Sequence, residues 1–153
     1  MDSFKLIIDP STFEVESHTV SGEIYVMLNT EAFPDAHWFD ICSSIMIMWG
    51  ENFLKMRENQ NDFELFFMDG LYSLLVSYRN GTATITRRKD EKNDDTMYIC
   101  KVIEIIQEWI DAGNKLLQFM KKCENCHIKK DVLRLEKLIM EVDGIKYSVM
   151  KMR

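Results

Sequence analysis

Histidine is scarce in this chain, present only as His18, His37 and His127, and the glycine loops that cradle phosphate, G-x-x-x-x-G-K and G-x-G-x-x-G, are missing. A cysteine nucleophile needs a histidine within reach, so so few histidines leave little room for that chemistry. No positively charged start leads into an apolar run of signal-peptide length, and the longest unbroken apolar stretch, residues 45–49, falls far short of the ~20 residues of a membrane helix. The expectation is a soluble, cytoplasmic protein with no membrane partner. Basic residues are the minority, 19 against 25 acidic ones, which gives a net charge of −6 and a pI near 5.1. That balance disfavours nucleic acid and anionic lipid, and no basic patch with interleaved aromatics offsets it. The same field would steer a basic protein partner inward. Internal repeats, low-complexity tracts and interdomain linkers are also missing, so one domain over residues 1–153 is expected.

The 46% of apolar residues suffice to bury roughly two thirds of the unfolded surface of a chain this size. Four cysteines, Cys42, Cys100, Cys123 and Cys126, are an even number, but a chain with its own core and no export signal is expected to keep them as free thiols. The eleven methionines are flexible fillers that suit irregular packing and adaptable binding surfaces.

A helix is predicted across residues 38–56, where Trp38, Ile41/Cys42, Ile45, Met48/Trp49, Phe53 and Met56 recur every three or four positions. Phe33-Pro34-Asp35 precedes it with Asp35 as the N-cap, and Asn59-Gln60-Asn61-Asp62 ends it after about Glu58. Upstream, residues 4–8 read as a strand stopped by Asp9-Pro10. Residues 12–16 and 23–29 read as two more, all antiparallel, with their pairing open.

The firmest register comes from Asn80-Gly81, a type I′ signal that sets Val76 opposite Ile85, Tyr78 opposite Ala83 and Leu74 opposite Arg87. Asp69-Gly70 sets Phe67 opposite Tyr72 and Leu65 opposite Leu74. Independently placed, the two turns put Leu65, Phe67, Tyr72, Leu74, Val76, Tyr78, Ala83 and Ile85 on one face of a three-stranded meander, the face predicted to meet the tryptophan helix. The opposite face is polar near the Asn-Gly turn and apolar near Phe66, Leu71 and Leu75. It needs cover from the early strands, the C-terminal helices or a partner protein.

Residues 87–95 read as a dense charged loop and residues 96–102 as a further strand. A second amphipathic helix is predicted over residues 104–123, which Gly113-Asn114 can divide. Asp131 can cap a third helix carrying Val132, Leu135, Leu138/Ile139 and Val142. Asp143-Gly144 then either turns the chain into a terminal strand over residues 145–150 or forms a hairpin pairing residues near Leu138 with those near Val149. The expected fold class is α+β: an antiparallel sheet packed against an aromatic-rich helix, with further C-terminal helices.

Cys123-Glu124-Asn125-Cys126-His127 matches C-x-x-C-H, the haem-attachment pattern. Attachment normally needs an exported chain, and a closed zinc site lacks ligands, with Cys100 as the only nearby candidate for a third. A redox role is disfavoured because the pair ends a helix, where the dipole raises a thiol pKa. Glu104, Glu108 and Asp111 share helical spacing, but without paired E-x-x-H motifs they read as a solvated flank rather than a metal face. No catalytic residue, metal site or cofactor is expected.

F-P-D-A-H-W-F-D-I at residues 33–41, followed by a helix with Met48-Trp49 and by F-F-M-D-G-L-Y-S-L-L-V at residues 66–76, resembles small bacterial immunity proteins of the polymorphic-toxin type. In that group an F-P-x-x-x-W-x-D lead-in to an aromatic helix is followed by a meander with a central M-D-G turn. The likeness covers about residues 20–125. It implies a cytoplasmic α+β protein, not an enzyme, that binds and neutralises a cognate toxin domain, often through an acidic surface. The acidic residues expected to meet a basic toxin domain are Asp90, Glu91, Asp94, Asp95, Glu104, Glu108 and Asp111. The alternative is a small metal- or haem-binding protein using Cys123, Cys126 and His127.

Overall fold

Two antiparallel sheets flank one long hydrophobic interior in the computed structural model, which describes residues 1–58, 60–124 and 126–151. The first sheet contains β1 (Phe4–Glu16), β2 (Thr19–Leu28), β3 (Glu31–Phe33) and β4 (Phe39–Asp40), with β1 on one side of β2 and the two short strands on the other. After α1 (Cys42–Leu54) and a 3-10 turn (Lys55–Glu58) comes the second sheet, a meander of β5 (Asp62–Phe66), β6 (Tyr72–Arg79), β7 (Thr82–Lys89) and β8 (Lys92–Lys101). α2 (Val102–Lys122) and α3 (Lys129–Lys151) complete the chain. The class is α+β.

Both glycine turns set the registers their chemistry requires. Val76 lies opposite Ile85, Tyr78 opposite Ala83 and Leu74 opposite Arg87. Leu65 lies opposite Leu74, and the Phe67 N–H donates to the Tyr72 carbonyl at 3.0 Å. The face so specified is buried, apart from half-buried Tyr72, against Trp49, Phe53 and Met56 on one side and Val102, Ile105 and Ile106 on the other. A void of about 10 Å³ lies between Phe53, Val76, Tyr78 and Ile106, too small to separate the layers. Phe67 meets the Trp49 ring edge-on at 5.4 Å.

Several expectations are corrected. Residues 4–8 and 12–16 are not separate strands: β1 runs through Pro10 by a bulge, in which five steps from Asp9 to Glu14 oppose two from Glu23 to Ser21. The bulge accommodates a residue that cannot donate to the ladder. Asp35 does not cap the tryptophan helix, and Trp38 is not in it. Asp35 accepts the Ala36 N–H within a turn, β4 follows, and the helix starts at Cys42, because Asp40 is drawn into the bonds described below. Asn59, expected in the turn after that helix, lies outside the described residues.

Residues 87–95 form a β-hairpin rather than a loop, with Asp90 and Glu91 at positive φ in its turn. Gly113-Asn114 does not divide α2, and Asp143-Gly144 begins neither a strand nor a hairpin, because α3 continues through it with Asp131 in its first turn. Leu135, Leu138, Val142, Ile145 and Val149 make one buried stripe at helical spacing, and Gly144 sits clear of it in open space. Burying that stripe against α1 and α2 outweighs the weak local preference of Asp-Gly for a turn. None of the described helices is long and apolar enough to cross a membrane.

Candidate functional site

A sheet edge offers unpaired backbone groups, and here side chains cover four of them on three edge strands. On β5, the Trp49 indole N–H donates to the Phe66 carbonyl at 2.8 Å and the Asn52 amide to the Glu64 carbonyl at 3.1 Å. On β1, the Leu6 N–H donates to Glu108 Oε1 at 2.9 Å. At Ile99 of β8, the carbonyl takes the Asp2 N–H and the N–H reaches the Asp2 carboxylate.

The broad outer face of the second sheet is different. Cross-strand partners Glu64, Leu75, Thr86 and Met97 form one row, and Ser77, Thr84 and Ile99 the next. Phe66, Leu71, Met97 and Ile99 are 44%, 63%, 63% and 47% exposed, with α1 packed against the other side of the sheet. Two adjoining depressions share Glu64. A shallow groove of about 530 Å³ crosses Leu75, Thr86 and Met97, and a cleft of about 400 Å³ opens between Met68, Leu71 and Glu91 at the hairpin ends. Exposed apolar side chains beside such depressions, interspersed with polar ones, are a candidate interaction surface.

Behind the hairpin ends lies a charged junction between the sheets. Arg87 donates from Nη1 to Glu31 and from Nη2 to Asp94, both at 2.5 Å, while the Tyr98 hydroxyl donates to Glu31 at 2.9 Å. The Tyr98 hydrogen bond, then Arg87, hold the Glu31 carboxyl below its ordinary range; for Asp94 the Thr96 N–H contributes most. A second groove, about 590 Å³, runs past this junction between Trp38, Tyr72 and Lys92.

The acidic residues singled out from the sequence fall into two separate groups. Asp90, Glu91, Asp94 and Asp95 lie at one end of β8, and Glu104, Glu108 and Asp111 lie beyond the other end, on α2. Six strand residues, 96–101, lie between Asp95 and the start of α2, about 20 Å of extended chain. Within the first group Asp94 is engaged by Arg87, Asp95 is exposed, and Glu91 lines the cleft. Residues 87–95 also carry Arg87, Arg88, Lys89 and Lys92, so the hairpin end is a mixed-charge surface rather than an acidic one. In the second group Glu108 guards the edge of β1, Asp111 accepts from Gln107 at 2.9 Å, and Glu104 is exposed in the first turn of α2.

Cys100 cannot complete a metal site with Cys123. It lies buried on β8, whereas Cys123 follows the far end of α2, a 21-residue helix about 30 Å long. Cys123 is half-buried and its Sγ donates to the Phe119 carbonyl at 3.4 Å; the His127 ring meets His18 edge-on at 5.2 Å. Asn125 lies outside the described residues, and among those described no group of three or more metal-binding side chains converges. Burial, with the nearby Asp40 charge second, pushes the Cys42 thiol up to about 12, so it is protonated at neutral pH and a poor nucleophile.

Sequence pattern marked the outer face as incomplete at Phe66, Leu71 and Leu75, but gave no sign of Met97 and Ile99, whose side depends on where the chain turns at Asp90-Glu91. Asp40 was visible only as the last letter of W-x-D. Its carboxylate is 3% exposed and accepts the Trp38 indole N–H at 3.0 Å and the backbone N–H groups of Ile41, Met68 and Asp69 at 2.7, 3.0 and 3.1 Å. It ties the F-P-x-x-x-W-x-D segment to the M-D-G turn. Comparison with models of protein families, with curated proteins and with solved structures found no match to the chain.

Proposed function

We propose that this chain is a non-catalytic binding protein of the toxin-immunity kind, acting in the cytoplasm, which docks a basic protein domain on the outer face of its second sheet and neutralises it by covering it. The observation that carries this reading is the exposure of Phe66, Leu71, Met97 and Ile99, with Glu64 and Glu91 among them, on a sheet whose opposite face is closely packed. Interfaces centre on apolar anchors within a polar rim, and methionine suits an adaptable one. The net charge of −6 favours a basic partner and opposes a second copy of the chain on the same face. Of the acidic residues, Glu91 lines the cleft on this face, and Glu104 and Asp111 lie outside it, on α2.

The test is affinity capture from the native cell, followed by assay of the captured protein alone and with increasing amounts of this chain. A basic protein whose toxic activity falls to zero at one equivalent supports the reading. A captured protein whose activity is unchanged by saturating amounts of the chain, or an acidic partner, refutes it.

A further inference from the structure

The cleft between the β5–β6 and β7–β8 hairpin ends has a mixed lining. Met48, Phe66, Met68 and Leu71 supply apolar surface, and Glu64, Ser73, Arg88 and Glu91 supply polar and charged groups. Its volume of about 400 Å³ accommodates one long side chain.

Arg88 is tethered within the cleft by two long contacts. Its Nη1 contacts Glu64 Oε2 at 3.4 Å, its Nη2 donates to the Glu91 carbonyl at 3.3 Å, and its Nε is buried without a hydrogen-bond partner. Glu64 is held from below by the hydroxyl of Ser73, which is 4% exposed. Both of these contacts fall on Oε2, so Oε1 remains for a donor, and the Glu91 side chain stands exposed at the rim. Two carboxylates and one guanidinium line the cleft, so its net charge is negative and favours a cation.

We propose that the cleft receives an arginine side chain of the docked protein, with its guanidinium on Glu64 and Glu91 and its stem against Met68 and Leu71. Arginine fits better than lysine because its planar fork pairs with a carboxylate while its face stacks on an exposed ring such as Phe66. A long aliphatic stem buries apolar surface as its head stays polar, which matches a lining of both kinds. This assignment rests on the docking reading above and gives that interface a point of specificity.

The test is an amide NMR titration of the full chain with N-acetyl-arginine-N-methylamide, beside the neutral isostere N-acetyl-citrulline-N-methylamide. Saturable shifts at Gly70, Leu71 and Ser73, with the citrulline compound about tenfold weaker or more, are expected from loss of a charge-assisted bond. Glu91→Gln, at an exposed turn, should weaken the arginine compound without altering the fold, and Glu64→Gln should weaken it further. Equal shifts from both compounds, shifts centred on Trp38 and Lys92 instead, or no saturable shift would overturn the proposal. The two readings fail separately. Arginine binding without a neutralised protein partner removes only the immunity reading, whereas a partner whose affinity survives Glu64→Gln and Glu91→Gln removes only the arginine cleft.

Discussion

The Asp40 carboxylate accepts the backbone N–H of Asp69 at 3.1 Å, so the last residue of β4 in one sheet holds the turn between two strands of the other. The same carboxylate takes the Trp38 indole and the Ile41 and Met68 amides, which is how a buried anion is tolerated.

Asp40→Asn keeps the shape but removes the charge and turns an N–H₂ toward a ring of donors. It should cost about 2–3 kcal/mol in urea unfolding, with Asp40→Ala at least as damaging. A change below about 0.5 kcal/mol would show that the linkage contributes little.

Gly50 sits where α1 meets α2. A Cβ there would lie 2.5 Å from Trp109 Cζ2 and 3.4 Å from Leu138 Cδ1, and the Trp109 ring is fixed by its bond to the Met46 carbonyl. Gly50→Ala should therefore destabilise by about 1–3 kcal/mol. Gly144→Ala meets nothing within 4 Å in mid-helix and should stabilise by about 0.5–1 kcal/mol. Thermal melts of the two variants should move in opposite directions.

That pair also illustrates how much was legible. The register of β6 on β7 follows from Asn80-Gly81 because a two-residue turn with both residues at positive φ fixes every pair beyond it. At Asp69-Gly70 the register agrees although only Gly70 takes a positive φ and residues 68–71 lie outside the strands. The same chemistry misled at Asp143-Gly144, where a continuous buried stripe decides the outcome and the glycine is a bystander. Asp35 had the composition of an N-cap, but the real organiser, Asp40, bonds to residues 28 and 29 positions away, a relationship no local pattern carries. The uncovered face was legible at Phe66 and Leu71, where strand alternation alone assigns sides. Assigning the acidic residues to surfaces required knowing that β8 runs unbroken from Lys92 to Lys101.

The Cys42 thiol gives stability a defined pH dependence. Burial raises it in the folded chain from 9.0 to about 12, with Asp40 adding to the effect. Above its ordinary range the unfolded chain loses the thiol proton while the folded chain keeps it. This contribution is complete below about pH 9 and is lost as pH rises toward about 12. The decline in unfolding free energy over that range should be shallower in Cys42→Ala, by up to about 1.4 kcal/mol per pH unit. Parallel curves would contradict it.

Glu108 separates a structural role from a binding one. Removing the acceptor on the Leu6 N–H by Glu108→Ala should cost about 1 kcal/mol of stability, and Glu108→Gln much less. Partner affinity, measured by calorimetry below the melting range, should be unchanged in both. Stability unaffected with affinity reduced would return Glu108 to the partner surface.

The most direct measurement compares partner affinity for the wild-type chain with that of Leu71→Asp/Met97→Asp, both side chains being 63% exposed. Melting temperatures within a few degrees, with affinity for the captured basic protein reduced about a hundredfold or more, are expected of anchor residues in a docking face. Undiminished affinity in that variant, together with its loss in Glu104→Gln/Asp111→Asn, would place the partner on α2 and contradict docking on the second sheet.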